Sequence, residues 1–426
     1  MKKDNKLLLD VYDRPQIMKW IILSLQHVFA MFGATILVPI LVNGAANAEV
    51  LSIPVALISS GIGTLIYIIC TKGKSPVYLG SSFAFITPMV VGFGLSGKSG
   101  VFTGIMGVGL VYVIVALLIK IIGKKWINKL LPPIIVGPMI MIIGLSLAPS
   151  AISNIGLNES TVNVKYLIAA LGAFLTTALI AVRGKGFLKV IPFLIGIIAG
   201  YVISMLLGIV DYNGIKDATF LSVPVFYIPF VHYKLNFAAL LTIVPIALVT
   251  MAEHIGDHKV LGSIINKDLI ENPGLDRTLM GDGLATMAAG FIGGPANTTY
   301  GENTSVVGMT KVASVWVTGL AAVIAIIFGF LGQLTAVISS IPSCVLGGVS
   351  ILLYGFISVN GLKILIQNQV DFGNTKNVII ASSMLVLGLG GAAISIITKD
   401  ISVSISGMSL AALVGIILNL IIVEEK

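Results

Sequence analysis

The chain alternates between long apolar runs and short polar or Gly/Pro-rich breaks, and no other feature restricts its fold as much. The runs fall at 18–42, 50–70, 76–95, 101–122, 131–149, 165–182 and 187–210. A second set falls at 236–256, 279–293, 297–310, 313–333, 335–358, 376–397 and 403–423. A helix needs about 20 residues to cross a hydrocarbon core, so fourteen crossings use roughly 280 residues. What remains of the 426 suits short loops. Only 10% of the residues are charged and 57% are hydrophobic, where a soluble domain carries about 25% charged residues. Together with a mean hydropathy of +1.05, this excludes an ordinary soluble enzyme, a disordered chain and a nucleic-acid-binding domain. The net charge of +8 is spread over short loops rather than gathered into a phosphate-binding patch. The expected fold class is an all-α polytopic membrane protein with fourteen transmembrane segments.

Lys and Arg set the orientation. With the N-terminus placed in the cytoplasm, 21 of the 26 basic residues fall on the inner side; Lys98, Lys165, Lys216, Lys234 and Lys399 fall outside. Both termini are then cytoplasmic. Residues 1–17 read as a polar cytoplasmic tail without the apolar core and cleavage site of a signal peptide. Two sets of seven runs flank a polar stretch from Asp211 to Lys234, and internal matches relate them. Pro132 and Gly137 recur as Pro342 and Gly347 at an offset of 210 residues, each pair opening an apolar helix. The third run holds Tyr78-Leu79-Gly80-Ser81-Ser82-Phe83 and the tenth holds Thr299-Tyr300-Gly301-Glu302-Asn303. Equivalent segments separated by seven crossings run in opposite directions, which predicts an inverted repeat. Paired interrupted segments at corresponding positions point to a transporter's binding site. Gly accounts for 47 residues; most are expected to serve close helix packing in lipid, and those beside the interrupted runs to permit non-helical backbone.

Acidic residues narrow the site. Of 18 Asp and Glu, only Glu253, Asp257, Asp282 and Glu302 lie within or at the edges of apolar runs. A charge at the bilayer centre costs about 2.5–3.5 kcal/mol on insertion scales, so such a group faces a cavity, a partner or a proton. Glu253 closes the apolar stretch from 237 to 252, and Glu302 sits in Gly-Pro-Ala-Asn-Thr-Thr-Tyr-Gly-Glu-Asn, which cannot be a regular lipid-facing helix. The bland alternative for both is a hydrogen-bonding strut between helices. For Asp257 and Asp282, near run ends, it is a solvated or helix-terminal carboxylate. For His254 and His27 it is packing, and Lys311 reads as the cytoplasmic end of the tenth run. Two buried carboxylates beside broken backbone suit a small, neutral, planar ligand carrying N–H and C=O groups. A carboxylate accepts from ring N–H, and a protonated Glu donates to a carbonyl. The membrane potential does not concentrate a neutral ligand, so accumulation requires a coupled ion, and a buried Glu is a natural proton carrier.

Other signals dissolve on inspection. Gly92-Phe93-Gly94-Leu95-Ser96-Gly97-Lys98-Ser99 satisfies both the dinucleotide-binding and the P-loop glycine patterns. The strand-loop-helix context those require is missing, and the octet faces outside, where there is no ATP. Cys70 and Cys344 lie in apolar runs and read as small buried hydrophobes, with no disulfide framework or metal site. No metalloprotease or nucleophile-elbow motif is present, so no enzyme and no cofactor are expected.

With these residues in view, a family resemblance is evident. Glu302-Asn303-Thr304-Ser305 through Thr310-Lys311 resembles the signature Gln/Glu-Asn-x-Gly-x4-Thr-Arg/Lys of the nucleobase–ascorbate transporters, which are nucleobase/cation symporters. Ser24-Leu25-Gln26-His27, Tyr78 to Phe83, Ala252-Glu253-His254, Asn297 to Glu302 and Leu353-Tyr354-Gly355 resemble its bacterial uracil carriers, from about residue 14 to 423. The resemblance implies two inverted repeats of seven segments. A core domain takes 18–125 and 236–333 (segments 1–4 and 8–11), a gate domain takes 126–212 and 334–423 (segments 5–7 and 12–14), and short antiparallel β-strands meet in segments 3 and 10. It implies a plasma-membrane uracil–proton symporter working by alternating access, a homodimer through the gate, and no nucleic-acid partner. Glu253 and Glu302 would bind the base, the backbone amides of Phe83 and Gly301 would contact it, and Ala34, Tyr300 and Tyr354 would line the site. A xanthine or purine carrier of the same family is the nearest alternative, which Glu rather than Gln at the signature's first position disfavours. An anion channel or exchanger on a related fold is a further one, disfavoured by two carboxylates at depth. Two departures stand out. Ser305 replaces the signature's Gly, and Asp257 stands one turn after Glu253, where a uracil carrier can have a His that handles the proton. His258 is one residue out of that register.

Overall fold

The computed structural model describes residues 7–397 and 402–422. Its α-helices of ten or more residues are α1 (Ile17–Ala46), α2 (Ile53–Cys70), α3 (Ile86–Ile122), α4 (Pro133–Ser146), α5 (Val164–Arg183), α6 (Pro192–Leu206) and α7 (Ile246–Ile265). They continue with α8 (Leu275–Ile292), α9 (Gly301–Thr310), α10 (Val315–Gly329), α11 (Ser343–Gln367), α12 (Thr375–Leu389) and α13 (Gly407–Ile421). Among the described residues, seven helical stretches are long and apolar enough to cross a membrane, and four shorter apolar helices accompany them. This is an integral membrane protein. Helices α1, α2, α3, α8 and α10 pack against one another, and α4, α5, α6, α11, α12 and α13 pack among themselves. Pro132 and Pro342 are the extended residues that open α4 and α11, as their sequence match predicts.

Between α2 and α3, and again between α8 and α9, the helical backbone gives way to three extended residues. Strand β1 (Leu79–Ser81) pairs antiparallel with β2 (Asn297–Thr299), Leu79 opposite Thr299 and Ser81 opposite Asn297. Flanking backbone bonds extend the ladder: Tyr300 N–H donates to the Tyr78 carbonyl at 3.0 Å and Ser82 N–H to that of Ala296 at 2.9 Å. Side chains of α2 complete it, with the Ser60 hydroxyl donating to the Leu79 carbonyl at 2.8 Å and Leu79 N–H donating to Thr64 Oγ1 at 2.9 Å. Gly80 is required here because the Tyr300 ring lies directly over it; a Cβ would come within 2.4 Å of that ring.

Several boundaries differ from expectation. The third and fourth runs form one helical stretch broken at Gly97, whose φ of +63° turns the chain. The discounted glycine octet is thus a helix break, not a loop. The thirteenth run stops as helix at Leu389. A second hairpin follows, β3 (Ala393–Ile397) against β4 (Ser402–Ser406), so the fold is not all-α outside segments 3 and 10. Gly390-Gly391 ends the helix, and the β-branched alternation that follows favours strands. The eighth run enters as a short helix at Leu240–Ile243, and α7 then runs from Ile246 to Ile265, which moves Glu253 and Asp257 into the helix interior. Asp282 is likewise inside α8, which starts at Leu275.

A larger side chain at Gly80 must displace the Tyr300 ring and open the strand pair. Gly80→Val is expected to lower stability by about 1–3 kcal/mol or more, read as a reduced thermal unfolding midpoint in detergent, whereas Gly94→Ala, where a Cβ meets nothing within 4 Å, leaves the midpoint unchanged.

Candidate functional site

Helix α7 carries two carboxylates and two histidines whose spacing sorts them onto two adjoining strips. Residues four apart share a helix face, so Glu253 lies with Asp257 and His254 lies with His258. Glu253 and Asp257 are half-buried, whereas both histidines are fully buried. The carboxylates face partly open space and the imidazoles face protein.

The buried strip is fully structured. His254 Nδ1 lies 2.8 Å from Oδ2 of Asp282, itself fully buried on α8. The His258 ring stacks on that of His254 with centroids 4.0 Å apart. Its Nδ1 donates to the His254 carbonyl at 2.7 Å, and Nε2 meets the Tyr67 hydroxyl, which also bonds Ser75. Asp282 is therefore not the solvated, helix-terminal carboxylate the sequence suggested, and His254 does more than pack. The signal for the pair was present: an Asp inside an apolar run must find a partner.

On the open strip, the hydroxyl of Thr299 in β2 donates to Asp257 Oδ2. Glu302 occupies the first turn of α9 and is half-buried. Glu253 and Asp257 lie within electrostatic range of each other and of both Glu302 and Asp282. Each strand runs into a helix start: β1 leads through the turn Phe83–Phe85 into α3, and β2 leads into α9 at Gly301. The first N–H groups of a helix have no partner within it, and its dipole favours negative charge or carbonyl oxygen there. Helix α7 packs against both starts. The structure thus brings Glu253, Asp257, Phe83, Gly301 and Glu302 to the two broken segments.

The remaining expected residues divide. Ala34, with Gly33, Leu194, Leu353 and Glu302, lines a small cavity between α1, α6, α9 and α11. Tyr354 is 2% exposed on α11 and does not line it. Tyr300 is 3% exposed; its hydroxyl donates to the Ser81 carbonyl at 2.9 Å and accepts from Thr35 at 3.1 Å. It is built into the strand crossing. Ser305 donates to the Gly301 carbonyl one turn back at 2.9 Å, so the departure from Gly adds a bond at the start of α9. Asn303 Nδ2 donates to Nδ1 and to the carbonyl of buried His27, tying α9 to α1; that contact was not foreseen. Removing Asp282 strands the His254 ring among buried atoms. Asp282→Ala is expected to cost about 3 kcal/mol or more while Asp282→Asn, which keeps an acceptor, costs less, as thermal unfolding of the purified variants will report.

Comparison with known proteins adds three findings. A model of the permease family matches residues 18–397. The uracil permease of Bacillus caldolyticus is 47% identical over 422 residues, covering 98% of this chain and 95% of that protein, and the uracil permease of Bacillus subtilis (strain 168) is 47% identical over 431 residues, covering 99% and 97%. The transmembrane domain of a cyanobacterial bicarbonate transporter, BicA, shares the fold at a TM-score of 0.65 and 16% identity, covering 96% of this chain and all of that one.

Proposed function

Because this chain belongs to the permease family, we propose that it is a uracil permease, taking uracil into the cell across the plasma membrane in symport with protons. The observation that carries the reading is 47% identity to two uracil permeases over nearly the whole chain. The site chemistry agrees. Uracil presents ring N–H donors and carbonyl acceptors in one plane. Glu302 and Glu253 match the N–H groups as carboxylates, or a carbonyl when protonated, and the helix starts at Phe83 and Gly301 offer N–H groups to the carbonyls.

In this reading the chain makes fourteen crossings in two inverted repeats of seven with both termini cytoplasmic. The core is 18–125 with 236–333 and the gate is 126–212 with 334–423. Ala34, Tyr300 and the gate residue Tyr354 line the site that holds the base. Uracil and a proton bind between core and gate, the core moves relative to the gate, and both are released inside; the gate also joins two copies. Glu253 is the substrate ligand that carries the proton. Asp257 acts beside it, held by Thr299, in the place where a uracil carrier can have a His. A neutral base gains nothing from the membrane potential, so the proton supplies the driving force.

Glu253→Ala and Glu302→Ala are expected to lower uracil affinity by about tenfold to 150-fold, since each removes a charged hydrogen-bonding partner worth roughly 1.5–3 kcal/mol. Calorimetry on purified protein measures this, and wild-type affinity in either variant would remove that residue from the site. Asp257→Asn keeps an acceptor for Thr299. It is expected to bind uracil and exchange it across vesicles, but to lose gradient-driven accumulation; accumulation at the wild-type level would assign the proton to Glu253 alone.

A further inference from the structure

The described residues preceding α1, from Leu7 onward, pack against the protein although their polarity suggests a solvated tail. Leu7-Leu8-Leu9-Asp10 runs along the segment that links α9 to α10, with a parallel bridge between Leu9 and Val312, and a turn at Val11-Tyr12 follows, closed by Asp13 N–H donating to the Asp10 carbonyl at 3.1 Å. Leu8 N–H donates to the Lys311 carbonyl at 2.8 Å, and the carbonyls of Leu9 and Val11 accept from Ala313 at 2.9 Å and Val315 at 3.0 Å. Alternate residues turn inward, as in a strand. Val11 is 1% exposed and Leu7 packs partly buried, while Leu8 is 74% exposed. The cluster that receives Val11 contains Leu79 of β1, Leu261 and Ile265 of α7, and Val307 of α9.

Polar contacts fasten the same segment at three further points. Asp10 pairs with Lys267, just beyond α7, at 2.6 Å. The Ser314 hydroxyl, at the start of α10, donates to the Asp13 carbonyl. Arg14 lies over the rings of Trp20 and Trp316, 4.9 and 5.2 Å from their centroids, and the Trp20 indole donates to the Trp316 carbonyl at 2.7 Å.

Helix α9 needs such support. It has ten residues, and the face formed by Gly301, Ser305 and Met309 is exposed along its length. Its first turn carries Glu302 and is fixed by β2. Its last turn ends at Lys311, whose backbone adopts φ +58° and whose carbonyl receives Leu8. A rigid helix of this length transmits a tilt at one end to the other, about 14 Å away.

We propose that Leu7–Pro15 is a strap that positions the substrate site, adding an extended segment beneath β1 and capping α9 so that Glu302 stays in register with Glu253. Its action is on the site through α9 and α7, and it rests on the reading that those two carboxylates bind uracil.

Leu8→Pro tests the strap without burying a charge, because it removes the shorter of the two N–H bonds to the Lys311 carbonyl, leaving that of Leu9 at 3.4 Å, and the Leu8 side chain is exposed; Leu8→Ala is its control. Val11→Asp tests the apolar anchor, with Val11→Ile as the conservative partner. Uracil binding to the full-length purified protein, and the KM and maximal rate of uptake in proteoliposomes, are the readouts. Leu8→Pro is expected to raise both the dissociation constant and KM by about threefold to tenfold, with the maximal rate much less affected. Val11→Asp is expected to raise them further, while Leu8→Ala and Val11→Ile match wild type. A wild-type dissociation constant and KM in folded Leu8→Pro protein would overturn the proposal, as would a loss confined to maximal rate. If wild-type protein itself binds no uracil, the functional reading fails first and the strap proposal falls with it.

Discussion

Three backbone pairs in the middle of the helical bundle hold the arrangement together. In hydrocarbon an unpaired N–H or C=O costs several kcal/mol, and irregular backbone survives only where protein satisfies it. Two segments here abandon the helix at Leu79–Ser81 and Asn297–Thr299, and each satisfies the other. Neither break is tenable alone. Once paired, both chains leave the crossing as helix starts, so the constraint that solves the backbone problem also presents N–H groups and Glu302 at one place. Gly80, Tyr300 and Thr35 belong to this crossing: the ring of Tyr300 fills the space over Gly80, and its hydroxyl is held by Ser81 and Thr35.

Helix α7 faces the crossing with a division of labour that follows from helical spacing. Glu253 and Asp257 meet partly open space; His254 and His258, one position on, are sealed between Asp282, Tyr67 and Ser75. The sealed strip fixes the rotation of α7 about its axis, because any turn that exposed the histidines would break the His254–Asp282 and His258–Tyr67 contacts. Glu253 and Asp257 are consequently held toward the site. Thr299 adds a direct tie from Asp257 to β2, so the carboxylates and the strand crossing form one unit.

Much of this was legible in the residues. Apolar runs and the scarcity of charge placed the chain in a membrane, the Pro132/Gly137 and Pro342/Gly347 match located two helix starts, and acidic residues inside apolar runs pointed to Glu253 and Glu302. What remained hidden depended on contacts distant in the chain. His254 and Asp282 are 28 residues apart and His27 and Asn303 are 276 apart; an Asp inside an apolar run signals that it needs a partner, but nothing local says which residue that partner is. The hairpin after α12 was masked because its β-branched residues are as apolar as a helix would be, so hydropathy reads them alike. The segment from Leu7 to Asp13 was misjudged for the opposite reason: its alternation is a strand signal, but Asp10, Asp13 and Arg14 made the whole stretch look solvated. Ser305 replaces a Gly, yet its hydroxyl turns back on its own helix, and only the structure could tell that from looser packing.

Radiolabelled uracil uptake into proteoliposomes, without ATP and with or without an inward proton gradient, tests the central claim most directly. The account predicts accumulation above equilibrium only with the gradient, collapsed by an uncoupler. Uptake that merely equilibrates regardless of the gradient, or no uptake by folded protein, would contradict it.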